Sequence, residues 1–138
     1  MKKLNSILLI DDDHASNFLH KMIIQRTNCV EHIKVCISAQ KGLDYLINKD
    51  DPDYQIPDII FLDINMPGMN GWEFLEEYKL LSDALKAKII IVMLSSTINP
   101  DDVLKANESE LVNEFVNKPL TRETLLHLIK VFYNLEFE

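Results

Sequence analysis

Short apolar runs with no polar break recur along the chain, and they narrow its possible folds more than any other feature. "SILLI" at 6–10 and "DIIFLD" at 58–63 read as short strands, and "AKIIIVML" at 87–94 as a longer, isoleucine-rich one. A strand that does not alternate apolar with polar residues is buried on both faces. That is the condition of a parallel sheet covered by helices on two sides.

Between the strands the period changes to that of a helix. "SNFLHKMIIQRT" sets Phe18, Leu19, Met22 and Ile23 on one helical face, and "AQKGLDYLINK" predicts a helix from about Ala39 that Gly42 weakens slightly. "WEFLEEYKLL" places Phe74, Leu75, Tyr78 and Leu81 on one stripe, with Trp72 as partial core. "TINPDDVLKAN" opens a fourth helix with Asn99 as cap and Pro100 at the first helical position. "TRETLLHLIKVFYNLE" closes the chain with Leu125, Leu128, Ile129 and Phe132 at helical spacing. "VEHIKVCIS" at 30–38 and "LVNEFV" at 111–116 supply the second and fifth strands, and the polar "DDPDYQIP" at 50–57 reads as a tolerated surface insertion.

Five strand–helix units joined by right-handed crossovers predict a doubly wound α/β fold. The expected sheet is parallel, in the flavodoxin-like (βα)5 order 2-1-3-4-5. The 138 residues are expected to form a single domain, 1–138, with no output domain attached.

Fourteen basic against 22 acidic residues leave a formal charge of -8, which argues against a nucleic-acid or anionic-membrane surface. No apolar run approaches the roughly 18 residues of a membrane span, and the three acids of "MKKLNSILLIDDD" stand where a signal peptide would carry its cleavage site. A cytoplasmic location is expected. Cys29 and Cys36, with His32 between them, match neither a common zinc spacing nor a C-x-x-C pair, and are expected to be buried free thiols.

In a sheet of this order, function gathers outside the carboxyl ends of strands 1 and 3. Asp11, Asp12 and Asp13 follow strand 1 there, and Asp63 ends strand 3 just before Pro67-Gly68 and Asn70-Gly71. Ser95, Ser96 and Thr97 follow strand 4, and Asn117-Lys118-Pro119 follows strand 5. Carboxylates crowded on one rim stay ionised together only if a cation shares the site. Oxygen ligands open to solvent suit Mg²⁺. A carboxylate so placed can also attack phosphorus, provided a metal and an ammonium neutralise the phosphoryl oxygens. Asp13 reads instead as an N-cap, Ser96 and Thr97 as hydroxyls satisfying backbone groups, and His20 and His127 as surface or helix-flank residues.

The acidic cluster after strand 1, "LDINMPGMNG" after strand 3, a small hydroxyl residue after strand 4 and "NKP" after strand 5 together resemble a response-regulator receiver domain, over essentially the whole chain. The resemblance implies that Asp63 is the phosphoacceptor. It implies that Asp12 is the direct Mg²⁺ ligand, with Asp11 acting through water and Asn65 offering its backbone carbonyl. Ser95 resembles the switch hydroxyl, Lys118 the lysine that pairs with the phosphoryl group, and Phe115 the aromatic that follows the switch. Phe115 lacks a phenolic oxygen and could signal by packing only. Asn65 and Thr97 occupy positions that tune phosphoryl lifetime. Lys118-Pro119 fits the family's cis bond.

The implied partners are a sensor histidine kinase or histidine phosphotransfer protein and a downstream protein. They would read the surface of the fourth helix, fifth strand and fifth helix, through which two copies could also pair. Rival readings fare less well. A phosphatase with an Asp nucleophile needs Asp-x-Asp, but the chain has Asp63-Ile64-Asn65; a flavin module needs a phosphate loop where three acids stand; and no G-x-x-x-x-G-K-[ST] is present. The remaining alternative is a receiver-like interaction module that works without phosphorylation.

Overall fold

The computed structural model describes residues 2–86, 88–97 and 99–137. In chain order it contains β1 (Leu4–Ile10), α1 (His14–Thr27), β2 (Val30–Cys36), α2 (Ala39–Ile47), β3 (Ile59–Asp63) and α3 (Gly71–Tyr78). A single helical turn at Asp83–Lys86 precedes β4 (Ile90–Ser95), α4 (Pro100–Glu108), β5 (Glu114–Asn117) and α5 (Arg122–Tyr133). All strand pairs are parallel, in the order β2-β1-β3-β4-β5.

The unbroken apolar strands serve two cores at once. Leu8, Ile10, Ile60, Leu62, Ile91 and Met93 face one layer with Leu43 and Leu46 of α2 and Phe74, Leu75 and Tyr78 of α3. Their neighbours Ile7, Leu9, Ile59, Phe61, Val92 and Leu94 face the other, with Ile24 of α1 and Leu125, Leu128 and Ile129 of α5. Successive side chains of a strand point to opposite faces, so the middle of a strand between two helical layers is apolar at consecutive positions. Cys29 and Cys36 are free and buried as expected, and burial pushes the Cys29 thiol up to about 11.

Several boundaries move. Strand 5 begins at Glu114 rather than residue 111, because Asn113 meets Ile91 with both its backbone and its side chain. Its N–H donates to Ile91 O at 2.8 Å, and its Oδ1 accepts from Ile91 N at 2.9 Å. The turn at Asp83–Lys86 was not anticipated; Ser82 Oγ accepts from Leu85 N at 3.2 Å and caps it. Ala87, in the expected fourth strand, and Ile98, just before the expected cap of the fourth helix, lie outside the described residues.

The stretch 50–57 is more than a tolerated insertion. Tyr45 Oη accepts from Gln55 N at 2.7 Å, Tyr54 Oη donates to Leu46 O at 3.1 Å, and the two rings stand 5.5 Å apart. α2 and the loop thus hold each other, Tyr45 of the helix on the loop's main chain and Tyr54 of the loop on the helix's.

α1 departs furthest from the expected packing. Its buried residues are Asn17, His20, Ile24 and Thr27, whereas Phe18 is 72% exposed and Leu19 also faces solvent. The helix turns a half-polar face inward, because main-chain groups at the rim of the sheet need partners there.

Candidate functional site

Each acid of the rim is positioned by local structure. Asp13 caps α1, accepting from Ala15 N at 3.0 Å and from the Ser16 hydroxyl at 3.1 Å, so it turns away from the cluster as the sequence suggested. Asp11, buried at the end of β1, accepts from Asp13 N through Oδ1 at 3.0 Å. Asp63 is the last residue of β3 and is buried too, whereas Asp12 is exposed.

The chain's turn after Asp63 is fixed by a glycine. Gly71 opens α3 and donates to Ile64 O at 2.8 Å. A Cβ there would lie 2.8 Å from Asp63 O and 3.0 Å from Ile64 Cα, so only glycine lets α3 close against the backbone that carries the acid. Asn70 and Glu73 lock the same corner as a capping box.

Lys118 joins the strands. Its Nζ lies 2.7 Å from Asp11 Oδ2 and 3.1 Å from Asp63 Oδ1. Burial works against the ammonium's charge, but the Asp11 and Asp63 carboxylates outweigh it and hold Lys118 above its usual range. Asp63 shows the opposite balance. Burial and the Asp11 charge push its carboxyl up to about 6, and the Lys118 contact only partly offsets them.

Asp11, Asp12 and Asp63 each offer a carboxylate oxygen within 4.8 Å of the others. Three carboxylates facing one ammonium leave excess negative charge in a partly buried site, and every donor is oxygen. That donor set fits a hard divalent cation such as Mg²⁺. Asn65, two residues beyond Asp63, is exposed.

Ser95 ends β4 with its side chain fully buried. Its hydroxyl donates to Thr97 O at 2.6 Å and accepts from Thr97 N at 3.2 Å, while its carbonyl accepts from Lys118 N at 2.7 Å. The hydroxyl is therefore engaged with the loop that follows β4. Phe115 is half-buried against the α2–α3 layer, and Lys118-Pro119 is cis.

Two polar residues beside the site escaped the sequence reading. Asn17 Nδ2 donates to Asp11 O at 2.8 Å, and His20 Nε2 accepts from Leu120 N at 3.2 Å. His20 is buried, not a helix-flank residue, because α1 lies over the turn between β5 and α5. The spacing 17, 20, 24, 27 was the available signal, a helical stripe whose first two members are polar.

The family model described as the response regulator receiver domain matches residues 7–130. The chain belongs to the response-regulator receiver family. It is 30% identical over 124 residues to "Probable methanogenesis regulatory protein FilR2" of Methanothrix harundinacea, covering 90% of this chain and 78% of that protein. Against "Sensory/regulatory protein RpfC" of Xanthomonas campestris pv. campestris it is 28% identical over 121 residues, 86% of this chain but only 15% of the relative. The crystal structure of a two-component response regulator from Cytophaga hutchinsonii superposes with a TM-score of 0.87 at 40% identity, covering 97% of this chain and all of that one.

The receiver therefore belongs to two-component phosphorelay signalling, as a switch rather than a classical enzyme. Receivers bind Mg²⁺ at an acidic pocket, and the cluster of Asp11, Asp12 and Asp63 forms such a pocket here. Among the described residues no helix is long and apolar enough to cross a membrane.

Proposed function

We propose that residues 1–138 act as one receiver domain that accepts a phosphoryl group on Asp63 from a phosphohistidine donor. The observation that carries this reading is the Lys118 ammonium held between Asp11 and Asp63 at 2.7 and 3.1 Å, with Asp12 completing the carboxylate cluster. In the transfer, a carboxylate oxygen of Asp63 forms the new P–O bond, the donor's P–N bond breaks, and the imidazole leaves with that electron pair.

Asp12 and Asp63, the Asn65 carbonyl and Asp11 through water would hold Mg²⁺. When bound, the ion neutralises charge on the phosphoryl oxygens. Lys118 keeps its charge in the site and re-pairs from Asp63 to the new phosphoryl oxygens. Ser95 leaves the Thr97 backbone to donate to the same group, and Phe115 follows by packing, since it has no hydroxyl to offer. Asn65, two residues past Asp63, and Thr97, on the Ser95 loop, tune how long the acyl phosphate survives. Small phosphodonors can load the same carboxylate as their own bond to phosphorus breaks, and attack by water on the acyl phosphate releases inorganic phosphate and restores Asp63.

The donor is a sensor histidine kinase or histidine phosphotransfer protein, and the setting is the cytoplasm. The output is the surface made by α4, β5 and α5, read by a downstream protein or by a second copy of the chain.

Intact mass in acidified solvent tests this reading, after incubation with a small phosphodonor with and without Mg²⁺, on wild type and Asp63→Asn. One added phosphoryl group that needs both Mg²⁺ and Asp63 supports it. No addition to the wild type, with a histidine-kinase donor failing as well, overturns it in favour of an interaction module that works without phosphorylation.

A further inference from the structure

Two buried polar side chains of α1 each reach the main chain that carries one half of the Asp11–Lys118 ion pair. Asn17 Nδ2 donates to the carbonyl of Asp11 itself at 2.8 Å. One turn on, His20 Nε2 accepts from Leu120 N at 3.2 Å, two residues past Lys118. Asn17 is 5% exposed and His20 2%, burial that costs free energy unless the polar atoms find partners.

The Leu120 bond has no substitute nearby. Pro119 has no N–H, so Leu120 offers the first backbone donor after Lys118, and Leu120 is completely buried. The Lys118–Leu120 turn is therefore held at two points, by Lys118 N on Ser95 O at 2.7 Å and by Leu120 N on His20.

We infer that His20 is a positioning residue for Lys118, and that phosphoryl transfer to Asp63 runs at full rate only while the His20 imidazole is neutral. An imidazole can accept at Nε2 only when its proton sits on Nδ1; a second proton turns the acceptor into a donor facing the Leu120 N–H. The turn then loses its anchor and the ammonium its fixed place between the two carboxylates. Burial holds the His20 pKa below its ordinary value, the Lys118 ammonium on the β5–α5 turn adds to that, and Asp11 at the end of β1 opposes it. At neutral pH the ring is neutral and the anchor is made; acidification releases it.

The inference rests on Asp63 being the phosphoacceptor, and two readouts separate the two claims. The first needs no phosphorylation. The Leu120 amide resonance, followed from pH 8 to pH 5, moves with the His20 ring in wild type and shows no such titration in His20→Gln, whose side-chain oxygen keeps the acceptor without titrating.

The second readout is the rate of phosphoryl addition from a small phosphodonor with Mg²⁺ over the same range. His20→Leu, which orphans the Leu120 N–H, is expected to be about tenfold slower at every pH. His20→Gln recovers most of that loss and lacks the part of the wild-type acid limb that follows the His20 titration. Equal rates for His20→Leu and wild type, or the same acid limb in His20→Gln and wild type, overturn the inference and leave the Asp63 reading intact. No addition to wild type at any pH removes both.

Discussion

Lys118 Nζ meets Asp11 Oδ2 at 2.7 Å across 107 residues of chain, the longest-range ion pair among the described residues. The same ammonium reaches Asp63 at 3.1 Å, so one cation ties the carboxyl ends of β1, β3 and β5 together.

Removing it should separate modification from response. Lys118→Ala retains Asp63 and the acidic cluster, so at long incubation it should still accept a phosphoryl group in the mass assay, more slowly for want of the ammonium. What it should lose is the change at Phe115 that reports the switched surface. Phosphorylation-dependent shifts of the Phe115 resonances equal in variant and wild type would show that Lys118 does not couple the two.

Asp63 is ionised at neutral pH in a buried place beside Asp11, with its carboxyl pushed up to about 6. In metal-free buffer at pH 7.5, Asp63→Asn should therefore raise unfolding stability by on the order of 2 kcal/mol, read from urea melts. Mg²⁺ should reverse the ranking. It should stabilise wild type by about 2.7 kcal/mol at a hundredfold excess over Kd, and the variant by clearly less. A metal-free variant less stable than wild type would contradict this balance.

Gly71 and Gly42 make a controlled pair. A Cβ at Gly71 meets backbone, Asp63 O at 2.8 Å, and Gly71→Ala should cost about 1–3 kcal/mol and slow phosphorylation by displacing Asp63. At Gly42 the nearest atom is the flexible end of Ile10, Cδ1 at 2.5 Å. Helix propensity gains about 0.5–1 kcal/mol there, so Gly42→Ala should stay near wild type. Equal losses in denaturant melts would argue against a special role for the α3 corner.

The loop at 50–57 should behave as a fixed element. Tyr45→Phe leaves the Gln55 N–H without its acceptor, and should cost about 1 kcal/mol while speeding proteolytic cleavage between residues 50 and 56. Unchanged cleavage rates would return the stretch to the status of a free insertion.

His20 also links stability to pH. Its folded pKa lies below the unfolded value, so the fold favours the neutral ring. Its contribution is complete above about pH 6.5 and declines as pH falls from there, because the unfolded chain binds the proton first. Melts at pH 7.5 and 5.5 should show a smaller acid loss for His20→Gln than for wild type. An equal loss would locate the acid sensitivity elsewhere.

Much of this was legible in the chain itself. Strand runs such as "SILLI" and "IIFL" announce burial on both faces without any knowledge of partners, because a layer on each side requires an apolar residue at every step. Asn99-Pro100 and Asp13 likewise mark helix starts by local chemistry, since their side chains and backbone satisfy groups within three residues. The candidate site was readable for a related reason. In a parallel sheet every strand ends at the same rim, so residues that close successive strands, Asp11, Asp63, Ser95 and Lys118, are brought together by topology alone.

Tertiary structure decided what depends on contacts between distant segments. Nothing near Asn17 or His20 in sequence says that their partners are Asp11 O and Leu120 N, and hydrophobicity alone pointed to Phe18 and Leu19 as the inner face of α1. The sequence by itself determined the five strands and five main helices, their order and the set of charged residues at one end of the sheet, because those follow from period and local hydrogen bonding. Only the packed fold decided that one ammonium holds both Asp11 and Asp63, that α1 turns a half-polar face inward and that the Ser95 hydroxyl is engaged by Thr97. Those choices come from satisfying buried polar groups across the whole molecule, a condition no single stretch of chain can express.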